Sequence, residues 1–305
     1  MIIRKLEYLI ALAKEGHFGR AAEACHVSQP TLSAALRQLE VELGIMILKR
    51  GQRYSGLTER GERVLVFAQR MAVECEHLRR DLESRRGDAL GAIHLGVVTS
   101  AIPAVSALTA PFQKSRPHVV VKISNLNPAE IQRAFEEFKL DVAITYLEEP
   151  VRRQGRSHTL YEEEYSLLTD KVSPLSRRRT ISWEEAAGLP LCLLAPEMLP
   201  SNSPLRDLLA HTGRSAPHIE TNSVTALYSH VRSGEWASVL PRSLTVPSQV
   251  GIDLKAIPMP LSHSSVSVGI MIPDRDLTFA LAEEFFNVAI STKISALRRE
   301  TVSSR

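Results

Sequence analysis

The chain has 305 residues, 44% of them hydrophobic and 23% charged, with a formal net charge of +3. Its length calls for two or three domains, and its average composition excludes intrinsic disorder and fibrous classes. Cys25, Cys75 and Cys192 lack metal-holding spacing, no apolar run nears the ~20 residues of a membrane helix, and Arg4, Lys5 and Glu7 stand where a signal peptide would be apolar, so a cytoplasmic protein without a cofactor is expected.

Residues 1–58 carry eight Lys/Arg against five Asp/Glu, whereas residues 91–305 carry twenty-two of each. The excess positive charge therefore lies at the N-terminal end, a modest footprint for a polyanionic partner. In that region Leu6, Leu9, Ile10 and Ala13 recur at helical spacing from Ile3 to Glu15, and Gly16 stops the run. A second short helix, rich in alanine, is predicted from Phe18 to Cys25. Ser28 then offers an N-cap and Pro30 suits a first helical turn, so a third helix begins there and ends at Gly44. Leu32, Ala35, Leu36, Leu39 and Leu43 form its apolar face. Three short helices with a tight turn before the third predict a helix-turn-helix. Ile45 to Leu57 reads as a hairpin with a basic tip, Lys49-Arg50-Gly51-Gln52-Arg53, which would serve as a wing.

Thr58 is the predicted N-cap of a long helix reaching about Arg86. Leu57, Gly61, Val64, Ala68, Met71, Cys75, Leu78 and Leu82 alternate at spacings of 4 and 3. Such a seam predicts pairing with a second copy; packing against its own domain is the alternative. After the polar hinge Arg85-Arg86-Gly87-Asp88, short apolar strands alternate with helices. Strands are predicted at 93–98, 119–123, 142–146, 165–168, 191–194, 238–240 and 266–272, and helices at 103–113, 129–139, 204–211, 224–233 and 277–297. This alternation predicts an α/β domain with largely parallel sheets, and its length suggests two subdomains with a cleft between them.

The motifs Leu6-Glu7-Tyr8-Leu9, Phe18-Gly19-Arg20-Ala21-Ala22, Val27-Ser28-Gln29-Pro30-Thr31-Leu32-Ser33, Leu36-Arg37-Gln38-Leu39-Glu40 and Leu57-Thr58-Glu59-Arg60-Gly61 resemble the LysR-type transcription regulators. Beyond residue 90 the likeness is one of pattern, chiefly Leu140-Asp141-Val142-Ala143-Ile144 and Val239-Leu240-Pro241. In the wing, Ile47-Leu48-Lys49-Arg50 replaces the family's usual Leu-Phe. The resemblance implies an N-terminal all-α winged helix-turn-helix with a long linker helix, then a C-terminal α/β, two-subdomain, periplasmic-binding-protein-like domain. The corresponding boundaries are 1–58 for DNA binding, 59–88 for the linker and hinge, and 89–305 for effector binding. Within the last, subdomain I takes about 89–162 and 267–305, and subdomain II about 163–266. It implies no enzyme but a transcription regulator, dimeric through the linker helix and commonly tetrameric, with an interrupted inverted repeat in double-stranded DNA, a small-molecule effector and RNA polymerase as partners.

Carried over by position, Ser28, Gln29, Pro30, Thr31 and Ser33 fall at the start of the recognition helix, Arg37 one turn on, and Arg50 and Arg53 in the wing. Their chemistry agrees: glutamine can pair with adenine, hydroxyls and helix N-terminal amides suit phosphates, and wing arginines suit the backbone or minor groove. For the effector, Thr99-Ser100, Ser201-Asn202 and Thr221-Asn222 end strands before helices, and Asn127 and Tyr146 lie just past strands. Converging helix N-termini would hold a small anion or carboxylate. The stretch Cys25 to Ser33 is similar to peroxide-sensing members of the family, but Pro204 stands before Leu205-Arg206-Asp207 where their reactive cysteine would be. A redox-responsive regulator and a ligand-free architectural DNA binder are the rival readings.

Overall fold

The computed structural model describes residues 2–49, 54–84, 91–137, 139–152, 155–212, 218–245, 251, 253–261, 266–273 and 280–292. It divides into two compact units, residues 1–89 with 136–139, and residues 90–135 with 140–305. Arg50, Arg53, the hinge at 85–88 and the far ends of the predicted last helix lie outside the described residues.

In the first unit, α1 (Ile2–Glu15), α2 (Phe18–Ala24) and α3 (Gln29–Leu43) surround Leu6, Leu9, Leu12, Ala21, Ala22, Leu32, Leu36 and Leu39. The order matches the expectation, with Tyr8 and Leu12 joining the core in place of Ile10 and Ala13, which are only partly buried. Leu43, expected on the apolar face, is exposed. Ser28 Oγ accepts from the Thr31 amide at 3.3 Å, and Gly44 closes α3 in the left-handed conformation at φ 66°. His26, between α2 and α3, also adopts positive φ, at 55°.

Next, α4 (Glu59–Ser84) starts where Thr58 Oγ1 accepts from the Gly61 amide at 2.9 Å. The predicted seam divides along this helix. Leu57, Gly61 and Ala68 are buried and Val64 is partly buried in the unit's own core, while Met71 and Cys75 are exposed. The upper half of the stripe therefore follows the alternative packing, because Gly61 and Ala68 are small enough to admit α4 close to its neighbours.

In the second unit the first sheet runs β2-β1-β3-β10-β4, with β1 (Ala92–Val97), β2 (Val120–Asn125), β3 (Val142–Tyr146), β4 (Gly155–Glu162) and β10 (Ser267–Pro273). Helices α5 (Ile102–Ser115), α6 (Pro128–Glu136) and α11 (Ala280–Ser291) contribute Leu108, Phe112, Ile131, Phe285 and Phe286 to its core. A four-residue turn of helix, α7 (Glu149–Arg152), follows β3. The second group of strands holds β5 (Tyr165–Asp170), β6 (Leu191–Leu194), β7 (His218–Thr221), β8 (Ser238–Pro241) and β9 (Leu254–Pro258). Its helices are α8 (Trp183–Ala187), α9 (Pro204–Thr212) and α10 (Val224–Arg232). Here β8-β5-β9 form one sheet and β6-β7 another, joined by a parallel bridge between Leu191 and Ala237.

The expectation of largely parallel sheets is corrected. Among the described strands β1–β2, β1–β3 and β6–β7 pair in parallel, and β10–β3, β10–β4, β5–β8 and β5–β9 pair antiparallel. In the first sheet the cause is chain crossing: β10 follows all strands of the second group in sequence and enters antiparallel between β3 and β4. The two crossings run side by side, with the Glu163 amide donating to the Val266 carbonyl at 2.8 Å and the Met259 amide to the Tyr165 carbonyl at 3.1 Å. Strands β4, β7 and β9 had no expectation in the sequence.

Candidate nucleic-acid interface and effector cleft

On α3, Gln29, Pro30, Thr31 and Arg37 are exposed, Ser33 is half-buried, and Leu32, Leu36 and Leu39 face inward. Helical periodicity thus turns one polar face outward from an apolar anchor. Ser28 and Thr31 share a hydrogen bond between their hydroxyls at 2.8 Å, which fixes the first turn. Lys5, 8% exposed, donates to Glu42 at 2.6 Å and ties α1 to the end of α3.

What braces the wing was not legible in the sequence. The Glu40 carboxylate accepts from the backbone amides of Ile47 at 2.7 Å and Leu48 at 2.9 Å. Leu48 pairs with Leu57, the Lys49 amide donates to the Gly56 carbonyl at 3.1 Å, and Thr58 Oγ1 donates to the Met46 carbonyl at 2.7 Å. A carboxylate from α3 therefore sets where the chain after Gly44 departs.

In the second unit Thr99 and Ser100 are buried in a 3-10 turn after β1. Thr99 Oγ1 donates to Asn125 at 3.0 Å, and Ser100 Oγ lies 3.0 Å from the buried Tyr146 hydroxyl. The Ser100 carbonyl accepts from Ser243 Oγ at 2.7 Å, so this turn also touches the second subdomain. The structure thus gathers Thr99, Ser100 and Tyr146. It does not bring the others to the same place. Asn127 caps α6, its Oδ1 accepting from the Glu130 amide at 2.9 Å while its amide donates to Glu130 at 2.8 Å. Ser201 donates to the Glu148 carboxylate through its amide at 2.8 Å and its hydroxyl at 2.5 Å, with the Asn202 amide at 3.4 Å. This expected anion site already holds a carboxylate of the chain itself. Thr221 Oγ1 accepts from the Ser223 amide at 3.1 Å, and Asn222 is exposed beside it.

Sequence reasoning missed Glu163, at the crossing between β4 and β5. Burial raises its carboxyl to about 7, with the Ser100 and Tyr165 hydroxyls opposing the shift. Tyr165 donates to Glu163 Oε2 at 3.1 Å. The Tyr146, Tyr161 and Tyr165 phenols are pushed upward by burial first and by this carboxylate second. Nothing in the run Glu162-Glu163-Glu164 marks one member for burial, so only the fold reveals it. Cys192, on β6, is fully buried with its thiol pushed up by burial.

A family model described as the bacterial regulatory helix-turn-helix protein of the lysR family matches residues 3–62, and one described as the LysR substrate binding domain matches residues 86–292. A hydrogen peroxide-inducible genes activator of Dickeya chrysanthemi is 29% identical over 259 residues, 82% of this chain and 81% of that one. The DNA-binding transcriptional dual regulator OxyR of Escherichia coli is 28% identical over 82% of this chain and 81% of its own. Among solved structures, a full-length OxyR variant from Pseudomonas aeruginosa superposes with TM-score 0.69 at 24% identity, covering 98% of both chains. Full-length CbnR complexed with its target DNA gives 0.67 at 19% identity, over 95% of this chain and 99% of that one.

Proposed function

The chain belongs to the LysR family of DNA-binding transcription regulators with an effector-binding domain, and from that premise we propose which residues read DNA and where the effector acts. Base and phosphate contacts are made by Ser28, Gln29, Pro30, Thr31, Ser33 and Arg37, supplemented by Arg50 and Arg53 from the wing. The observation that carries this reading is the exposed polar first turn of α3, capped by Ser28 and braced to the wing through Glu40. Residues 1–58 form the reader, 59–88 the linker and hinge, and 89–305 the effector domain, divided at about 162/163 and 266/267. The protein acts in the cytoplasm as a dimer through α4, assembled to a tetramer on an interrupted inverted repeat, and addresses RNA polymerase.

The effector is a small molecule held where Thr99, Ser100 and Tyr146 meet the second subdomain. Ser100, whose hydroxyl shares a hydrogen bond with Tyr146, is the donor a small anion or carboxylate would recruit, since Thr99 already gives its proton to Asn125. Glu163 would repel such a ligand unless protonated. A peroxide-driven disulfide within the effector domain has no support, because residues 91–305 contain one cysteine, Cys192.

The test is a mobility shift on DNA upstream of the chain's own gene. Gln29→Ala is expected to relax sequence preference, losing ~1–3 kcal/mol on the preferred site if the pairing is bidentate. Arg50→Ala is expected to weaken all sequences alike and lower the salt slope by ~1. Unchanged affinity and preference in both variants would refute the contact assignment.

A further inference from the structure

A small cavity opens at the crossing between the subdomains, lined by Tyr161, Glu162, Glu163, Glu164 and the segment Pro241 to Ser243. Three carboxylates face one guanidinium there. Arg242 Nη1 is held by Glu164 at 2.9 Å, and Glu162 accepts from Ser267 Oγ at 2.6 Å. Glu163 is 9% exposed, and its Oε1 has no hydrogen-bond partner, nor has the buried Tyr161 hydroxyl. The Ser100 hydroxyl lies close to both but is shared with Tyr146 at 3.0 Å, so its one proton cannot serve every oxygen gathered here. The free volume is about 10 Å³, the room of about one water-sized group. An ammonium nitrogen can donate to such acceptors, whereas a carboxylate has no proton to give.

We infer that this pocket seats a compact cationic hydrogen-bond donor, an ammonium or similar head group of the effector, with Glu163 Oε1 as its acceptor. The inference rests on the cleft being the effector site and differs from the anionic ligand class suggested by the sequence, and the experiment below decides between the two. The groups facing Glu163 are Tyr146 from β3, Tyr161 from β4, Tyr165 from β5, and the Arg242–Glu164 pair at the cavity wall. None of the tyrosines can neutralise a carboxylate, and the one guanidinium is engaged.

The experiment compares three probes of one chain length, 1,4-diaminobutane, butane-1,4-diol and succinate, by calorimetric titration of the full chain. The diamine is expected to bind more tightly than the diol, and succinate not at this pocket. Because the cation selects the ionised carboxyl, whose raised value is about 7, diamine affinity should be about tenfold higher at pH 8 than at pH 6. Glu163→Gln should abolish both the binding and its pH dependence, and the wild-type pH comparison stands even if that variant does not fold. Failure of the diamine to bind at either pH, an equal affinity for the diol, or a flat pH profile overturns the inference. Succinate binding that is weakened by Ser100→Ala but not by Glu163→Gln would retain the cleft as the effector site and discard the cation.

Discussion

Replacing Gly61 by alanine would place a Cβ 2.1 Å from the Ile47 carbonyl oxygen and 2.9 Å from its carbon. Both obstacles are backbone, so no side chain can swing aside. On an unobstructed helix the change would gain ~1 kcal/mol from lower backbone entropy in the unfolded chain. Here α4 and the wing must separate by about 1 Å, with an overpacking cost of ~1–3 kcal/mol. The displaced Ile47 carbonyl is also the acceptor for the Thr58 amide at 2.9 Å, and its amide is the donor to Glu40. Weakening these two bonds adds ~1 kcal/mol each. The net expectation is a loss of ~2–4 kcal/mol from the N-terminal unit, a large share of a domain's ~5–15. The two tryptophans, Trp183 and Trp236, both lie in the second unit. In urea, far-UV circular dichroism should therefore lose its N-terminal transition early while tryptophan fluorescence is unchanged. Gly188→Ala, where the nearest atom would be 3.6 Å away, is the comparison with room for a methyl. A Gly61→Ala protein as stable as wild type would show that the close approach of α4 to the wing is not a constraint.

Glu40→Ala leaves the Ile47 and Leu48 amides without their acceptor and is expected to cost ~1–3 kcal/mol, weakening DNA binding on all sequences together in a mobility shift; a change confined to one base pair would contradict the bracing role. The Glu163 carboxyl is raised in the folded state, so the folded protein binds more protons between the ordinary carboxylate value of 4.5 and about 7. Stability of the second unit should accordingly fall as pH rises through that window, and Glu163→Gln should flatten the tryptophan-monitored thermal profile; a wild-type midpoint that rises there would contradict it. Cys192 is expected to react with a thiol reagent only on the timescale of unfolding, read by mass spectrometry of the labelled peptide. Rapid labelling in the native state would show that β6 opens to solvent.

Local signals carried the first unit. A cap such as Ser28, a left-handed stop such as Gly44 and a leucine stripe depend only on residues a turn apart, and all were legible. What a stripe packs against is not local, so the 4-and-3 spacing of α4 could not tell its own core from a second copy. Strands β4 and β9 escaped for a related reason: at sheet edges their burial is partial, and Gly155–Glu162 reads as polar chain. The carboxylates at 40 and 148 carry no local signal of their partners, since Glu40 meets backbone amides seven and eight residues on and Glu148 meets Ser201, fifty-three residues on. That long-range bonding decided which candidate groups were free to meet a ligand, and Ser201 and Asn202 were not.

The entry of β10 between β3 and β4 also orders events on the ribosome. Strands β5 to β9 occupy one uninterrupted stretch, so the subdomain encoded second is complete as soon as Pro258 has emerged. The subdomain encoded first must wait for Ser267–Pro273 to fill the middle of its sheet. Until then the facing edges of β3 and β4 present unpaired backbone, the kind of surface that recruits other nascent chains. Translational pausing between residues 259 and 267 should thus be the interval of greatest aggregation risk, and a chaperone that shields open sheet edges would act there.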